Sequence, residues 1–157
     1  MKMRFISFIL AFSILPGLAY AADSSPAPQA RPQDPALEQA RAAIAQKDWA
    51  AAQTVLKDAV ARDSQNADYN NLYAYSIRKG SNPDMSLVFK HYNQALSIDP
   101  KHKGAHEYIG EAYLMVGNVA KAKEHLAQLD KICFFGCSEF TELKIAISDF
   151  ETKKVAR

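Results

Sequence analysis

The sequence predicts an all-α fold, an array of about three helix-turn-helix units with a degenerate first unit and a capping helix at the C-terminal end. Three observations carry this. Residues 76–100 and 110–134 fall into register at an offset of 34, placing Val88 on Ala122, Tyr92 on Leu126 and His91 on His125. An earlier segment joins the same frame once two residues are inserted between the first and second copies, so that Trp49, Ala52, Leu56 and Ala59 match Met85, Val88, Tyr92 and Ala95. Small residues then recur where helices must cross closely, with Ala40, Ser76 and Gly110 set against Ala52, Val88 and Ala122, of which only Val88 is bulky. A fixed period of this length belongs to stacked helical hairpins, none of which buries its apolar face alone.

In chain order, residues 1–21 have the layout of a secretory signal: Lys2 and Arg4, an apolar run from Phe5 to Leu15, a Pro16-Gly17 break and Ala19-Tyr20-Ala21 before the expected cleavage point. The apolar run is shorter than the ~20 residues that span a bilayer. Residues 22–34 hold three prolines, with Pro35 directly after them, and few large apolar side chains, the composition of an extended tether. Helices are expected over 35–46, 48–62, 67–79, 83–98, 103–116 and 119–133, with Asp48, Asn82 and Asn118 as N-caps and Gly80 and Gly117 in or near the turns. These fill 35–136 as units over about 33–66, 69–102 and 103–136. Over 137–157, Phe140, Leu143, Ile147 and Phe150 recur at helical spacing behind Ser138, the expected N-cap. This helix would cover the apolar flank that the last unit of an array leaves open. A docking helix for a partner is the other reading of the same stripe.

The third unit, with Ile109-Gly110-x-x-Tyr113, Gly117, Ala122 and Leu126, resembles the tetratricopeptide repeat family. The second shows Leu72, Tyr75, Ser76, Tyr92, Ala95 and Pro100, while the first lacks the large leading residues. The resemblance implies a non-enzymatic scaffold that takes a polypeptide in the groove lined by the first helix of each unit. In that frame the groove side chains are Leu37, Arg41 and Ile44, then Asn70, Tyr73 and Ile77, then Glu107, Glu111 and Leu114. Tyr73 and Ile77 are expected to form the apolar anchor.

Two cysteines, Cys133 and Cys137, are the only ones in the chain. Residues four apart on one helix hold their Cβ atoms about 5–6 Å apart, too far for a disulfide, so a bond needs the helix to break at Gly136. In an oxidising compartment such a bond would fix the angle of the last helix. The competing reading sets Cys133 and Cys137 beside His102 and His106 as a metal-handling or redox site. His91 and His125 fall on the outer helices, where a solvated face is expected.

Before Ala21 lie two basic residues and no acidic ones, so the remaining chain carries 17 basic against 17 acidic side chains. That balance leaves no electrostatic footprint for nucleic acid or anionic membranes. No nucleophile elbow, phosphate-binding glycine loop or complete zinc-protease motif is present, and no cofactor is called for. The sequence therefore points to an exported, periplasmic, non-enzymatic binding protein. Its partner is another polypeptide, and self-association is a further use of the degenerate first unit.

Overall fold

A computed structural model describes residues 34–155. The expected signal and nearly all of the proline-rich stretch lie outside the described residues. Seven helices follow in order: α1 (Pro35–Ala45), α2 (Trp49–Arg62), α3 (Ala67–Lys79), α4 (Met85–Ile98), α5 (Lys103–Met115), α6 (Val119–Ile132) and α7 (Ser138–Val155). No strand occurs among the described residues.

Side chains start the first six helices by accepting from orphan backbone N–H groups: Asp34, Asp48, Asn66, Asp84, His102 and Asn118. Two expected caps move. Helix α4 opens from Asp84, whose carboxylate accepts from Leu87 N at 3.1 Å, and not from Asn82. Pro83 lies between the two, and proline disfavours helical geometry in the residue before it, so Asn82 stays in the turn. Ser138 is the first residue of α7, its hydroxyl set 3.3 Å from the Glu139 carboxylate, and Cys137 takes the position before the helix.

Three small cores knit the hairpins into a stack. Ala40, Ala52 and Leu56 join α1 to α2 and receive Leu72 and Tyr73 of α3. Ala74, Ile77, Val88, Tyr92, Ile109 and Ala112 join α3, α4 and α5. Leu114, Ala122, Leu129, Leu143 and Ile147 join α5, α6 and α7. The last core shows why α7 exists, since it covers the third hairpin with Leu143 and Ile147, which are 0% and 4% exposed. Gly110 marks the closest approach. A Cβ there would stand 2.7 Å from both Cδ atoms of Leu143, so the contact requires the absence of a side chain.

The hairpin turns explain the most consequential departure from the sequence reading. Residues 46–48 and 116–118 make three-residue turns, whereas 80–84 takes five. The two extra residues thus lie inside the second hairpin, not between the first and second. Counted back from the helix ends, Ala40 and Gly110 are matched by Ala74, which is fully buried, and not by Ser76. Every first-helix position of the second unit shifts accordingly.

A candidate binding surface along the first helices

The shift decides which side chains line the surface made by α1, α3, α5 and α7. Asn70, Tyr73 and Ile77 do not belong to it. Asn70 is 1% exposed and hydrogen-bonds His91 Nδ1 at 2.9 Å, while its amide donates to the carbonyls of Ser64 and Asn66. The Tyr73 ring packs edge-on against His91, and Ile77 lies in the core with Val88 and Tyr92. All three face α4. The positions equivalent to Leu37, Arg41 and Ile44 in α1, and to Glu107, Glu111 and Leu114 in α5, are Asn71, Tyr75 and Arg78.

These three face α5. The Asn71 amide approaches Gly104, and the Tyr75 and Tyr108 ring centroids are 4.6 Å apart. Arg78 is the centre of the arrangement. Its Nη2 donates to Glu111 Oε2 at 2.6 Å, its Nε donates to the Tyr92 hydroxyl at 3.3 Å, and its guanidinium carbon lies 5.5 Å and 5.8 Å from the Tyr75 and Tyr108 centroids. A buried cation is tolerated only with such partners. With the two extra residues set between the first two units, Arg78 falls off the groove; with them in the 80–84 turn, it lies on it.

Of the other expected groove residues, Arg41 is exposed near Asp34 and Asp68, while Leu37 and Leu114 are buried apart from an edge. Glu107 is only 4% exposed, because α7 lies over it. Burial, reinforced by the neighbouring Glu142 and Glu111 carboxylates, pushes its pKa up to about 8. It is therefore a poor charge for steering a partner. Glu111 stays partly exposed but is neutralised by Arg78.

Past this ion pair the surface opens into a recess of about 460 Å³ between α3, α5 and α7, lined by Arg78, Glu111, Leu114, Met115, Ala146, Asp149, Phe150 and Lys153. Its floor is apolar, Met115 is 53% exposed, and Asp149 and Lys153 stand at its mouth. A larger space of about 580 Å³ lies across the helix starts, walled by Asp68, Asp99, Lys101, His102 and Glu139. Its polar groups largely bond one another or cap helices, as His102 does with Asp68 and with Ala105 N. The recess on the first-helix face is the better candidate of the two because its lining is mostly apolar, with charged groups at the rim.

The four-ligand metal reading is overturned by where its members point. The sulfurs of Cys133 and Cys137 are bonded across Gly136, which adopts the left-handed φ of 84°. His102 Nε2 meets Asp68 and its Nδ1 accepts from Ala105 N. His106 Nε2 meets the Pro100 carbonyl, and its Nδ1 meets His125 Nδ1 at 3.0 Å. Nor do His91 and His125 form a solvated face. His91 is 9% exposed against Asn70 and Tyr73, and His125 stacks on Tyr113.

The fold and site together define a helical hairpin array with tetratricopeptide-like architecture and a groove on its first-helix face. Among solved structures, the type III secretion translocator chaperone SycD of Yersinia enterocolitica matches with a TM-score of 0.64 at 15% identity, over 76% of this chain and 83% of that chain. A second crystal structure of that chaperone, an alternative dimer, matches with a TM-score of 0.61 at 18% identity, over 81% and 98%. No family model matches the chain, and no curated relative matches its sequence. The likeness is one of fold.

Proposed function

We propose that this protein is an exported, periplasmic scaffold of chaperone or adaptor type, which holds an extended or helical polypeptide segment along α3, α5 and α7. The observation that carries the reading is the Arg78–Glu111 pair leading into the recess of Leu114, Met115, Ala146 and Phe150. A segment with one large apolar side chain for that recess, and polar groups for Asp149 and Lys153, fits it. Hot-spot energetics favour such a site, in which an apolar centre is ringed by groups that exclude water. The fold likeness to a secretion chaperone supports a polypeptide client. The N-terminal sequence supports export, and the bonded cysteine pair suits an oxidising compartment.

A photo-crosslinking residue placed at Met115, in the processed chain expressed in its own envelope, is expected to trap one polypeptide reproducibly. The same residue at Gln128, exposed on α6, should not. Met115→Asp should lower affinity for the trapped partner by roughly tenfold or more. Equal trapping at both positions, or unchanged affinity of Met115→Asp, refutes the groove. A trapped second copy of the chain would instead assign the groove to self-association.

A further inference from the structure

The loop between α6 and α7 has a feature that groove binding does not use. Phe134 is 86% exposed and Phe135 is 96% exposed. Their rings meet edge to face with centroids 5.1 Å apart, so they form one continuous apolar knob. The bonded cysteines flank it on both sides, and Cys133 is anchored in the core with Leu129, Leu143 and Ile147. Leaving two adjacent aromatic rings in water is unfavourable, and fixing the backbone beneath them keeps them from folding back onto the protein.

We propose that this knob is a membrane wedge, which sets Phe134 and Phe135 into the interfacial layer of a zwitterionic bilayer and holds the protein at the membrane surface reversibly. Two observations select lipid over a protein pocket. The knob is convex and small. Two rings offer about 150–250 Å² each, against about 800 Å² per partner in a stable protein interface. Lipid needs no complementary shape. Around the knob the surface is polar and mixed in charge, with Asp130 and Lys131 on one side and the helix-start loops bearing Asp63, Asp99 and Lys101 at the same end as Glu139. Such groups suit the headgroup region while the rings pass below it, and they form no cationic stripe that would demand anionic lipid. No helix among the described residues is long and apolar enough to cross a membrane.

The test is flotation of the processed, oxidised chain with vesicles of phosphatidylcholine alone and of phosphatidylcholine mixed with phosphatidylglycerol. Binding to both is expected, with less than about twofold preference for the anionic mixture, because neither ring carries charge. The double variant Phe134→Ser, Phe135→Ser should bind roughly tenfold more weakly or worse, with an unchanged melting temperature. In a Trp49→Phe background, Phe135→Trp should shift its emission to the blue on adding phosphatidylcholine vesicles. Equal flotation of wild type and double variant, or no blue shift, overturns the wedge. So does failure of the wild type to bind vesicles, and if the double variant then also loses a crosslinked polypeptide, the knob belongs to a protein partner.

Discussion

His106 and His125 meet through their Nδ1 atoms at 3.0 Å, and this geometry lets the pair accept one proton but not two. His106 Nε2–H donates to the Pro100 carbonyl, so its Nδ1 accepts from His125 Nδ1–H. A first proton enters at His125 Nε2 and leaves the bond in place. A second would set two N–H groups head to head between α5 and α6. Tyr113, Glu124 and Lys121 surround His125, and His102 and Asp99 lie near His106.

Acid should therefore loosen the third hairpin first. Burial holds His91, His106 and His125 below the ordinary histidine value of 6.5, with His125 down at about 4. The unfolded chain takes up protons at higher pH than the folded one. Stability from these groups is complete above pH 6.5 and is lost as pH falls toward 4. The expected loss is about 2–3 kcal/mol across that window. Chemical melts at intervals of pH measure it, and His125→Phe should flatten the slope while lowering stability at pH 7.5. An equally steep slope in the variant would rule the pair out as its source.

Glu107 works in the opposite direction. Its folded pKa of about 8 lies above the ordinary 4.5, so its contribution is intact below pH 4.5 and is lost as pH rises toward 8. Glu107→Gln should therefore raise stability by ~1–3 kcal/mol at pH 8 and change it little at pH 4. Together with the histidines this places the stability maximum of the wild type in mildly acidic solution. A Glu107→Gln gain that is the same at both pH values would contradict this.

Arg78 is predicted to matter more than Glu111, because its side chain is 5% exposed and that of Glu111 is 28% exposed. Arg78→Ala leaves Glu111 and the Tyr92 hydroxyl without their partner and opens space beneath two tyrosines. A loss of about 3 kcal/mol or more is expected in urea unfolding. Glu111→Gln should cost about 1 kcal/mol, since water reaches the vacated side. Equal losses would mean that the pair is effectively solvated.

The contact between Gly110 and Leu143 can be tested by its coupling. Gly110→Ala should cost about 1–3 kcal/mol through overpacking, and Leu143→Ala about 2–5 kcal/mol through the cavity it leaves. In the double variant the two costs should add to distinctly less than their sum, because the new methyl occupies space that Leu143 vacates. Strict additivity would show that α7 does not rest on Gly110.

The helices themselves were legible from periodicity and capping. Six expected ranges agree with the structure within two residues, and Asp48 and Asn118 mark two of the starts locally. The lateral assignment of the second unit was not. Ala74 and Ser76 are both small, both buried and two residues apart, so composition alone accepts either as the crossing residue. The deciding clue was Asp84, which stands before Met85 as Asp48 stands before Trp49 and Asn118 before Val119, and so places the insertion within the turn. Arg78 was hidden by the same slip. The burial of the histidines is illegible in the sequence for another reason. A ring that is polar at two edges can be buried wherever partners exist, and Asn70 and His106 supply them only in three dimensions.

No described helix packs against one more than two places away along the chain. Non-local loop closure is therefore nearly absent from the folding of this protein, and folding should be fast for its size. Each hairpin can form as soon as its second helix is available, in the order in which the chain emerges. The exception is the interior face of α5, with Gly110 and Glu107, which stays wet until α7 arrives. Until then Glu107 ionises as an ordinary carboxylate, so the final docking step consumes a proton near neutral pH, and its rate should rise as the solution is made more acidic toward pH 6.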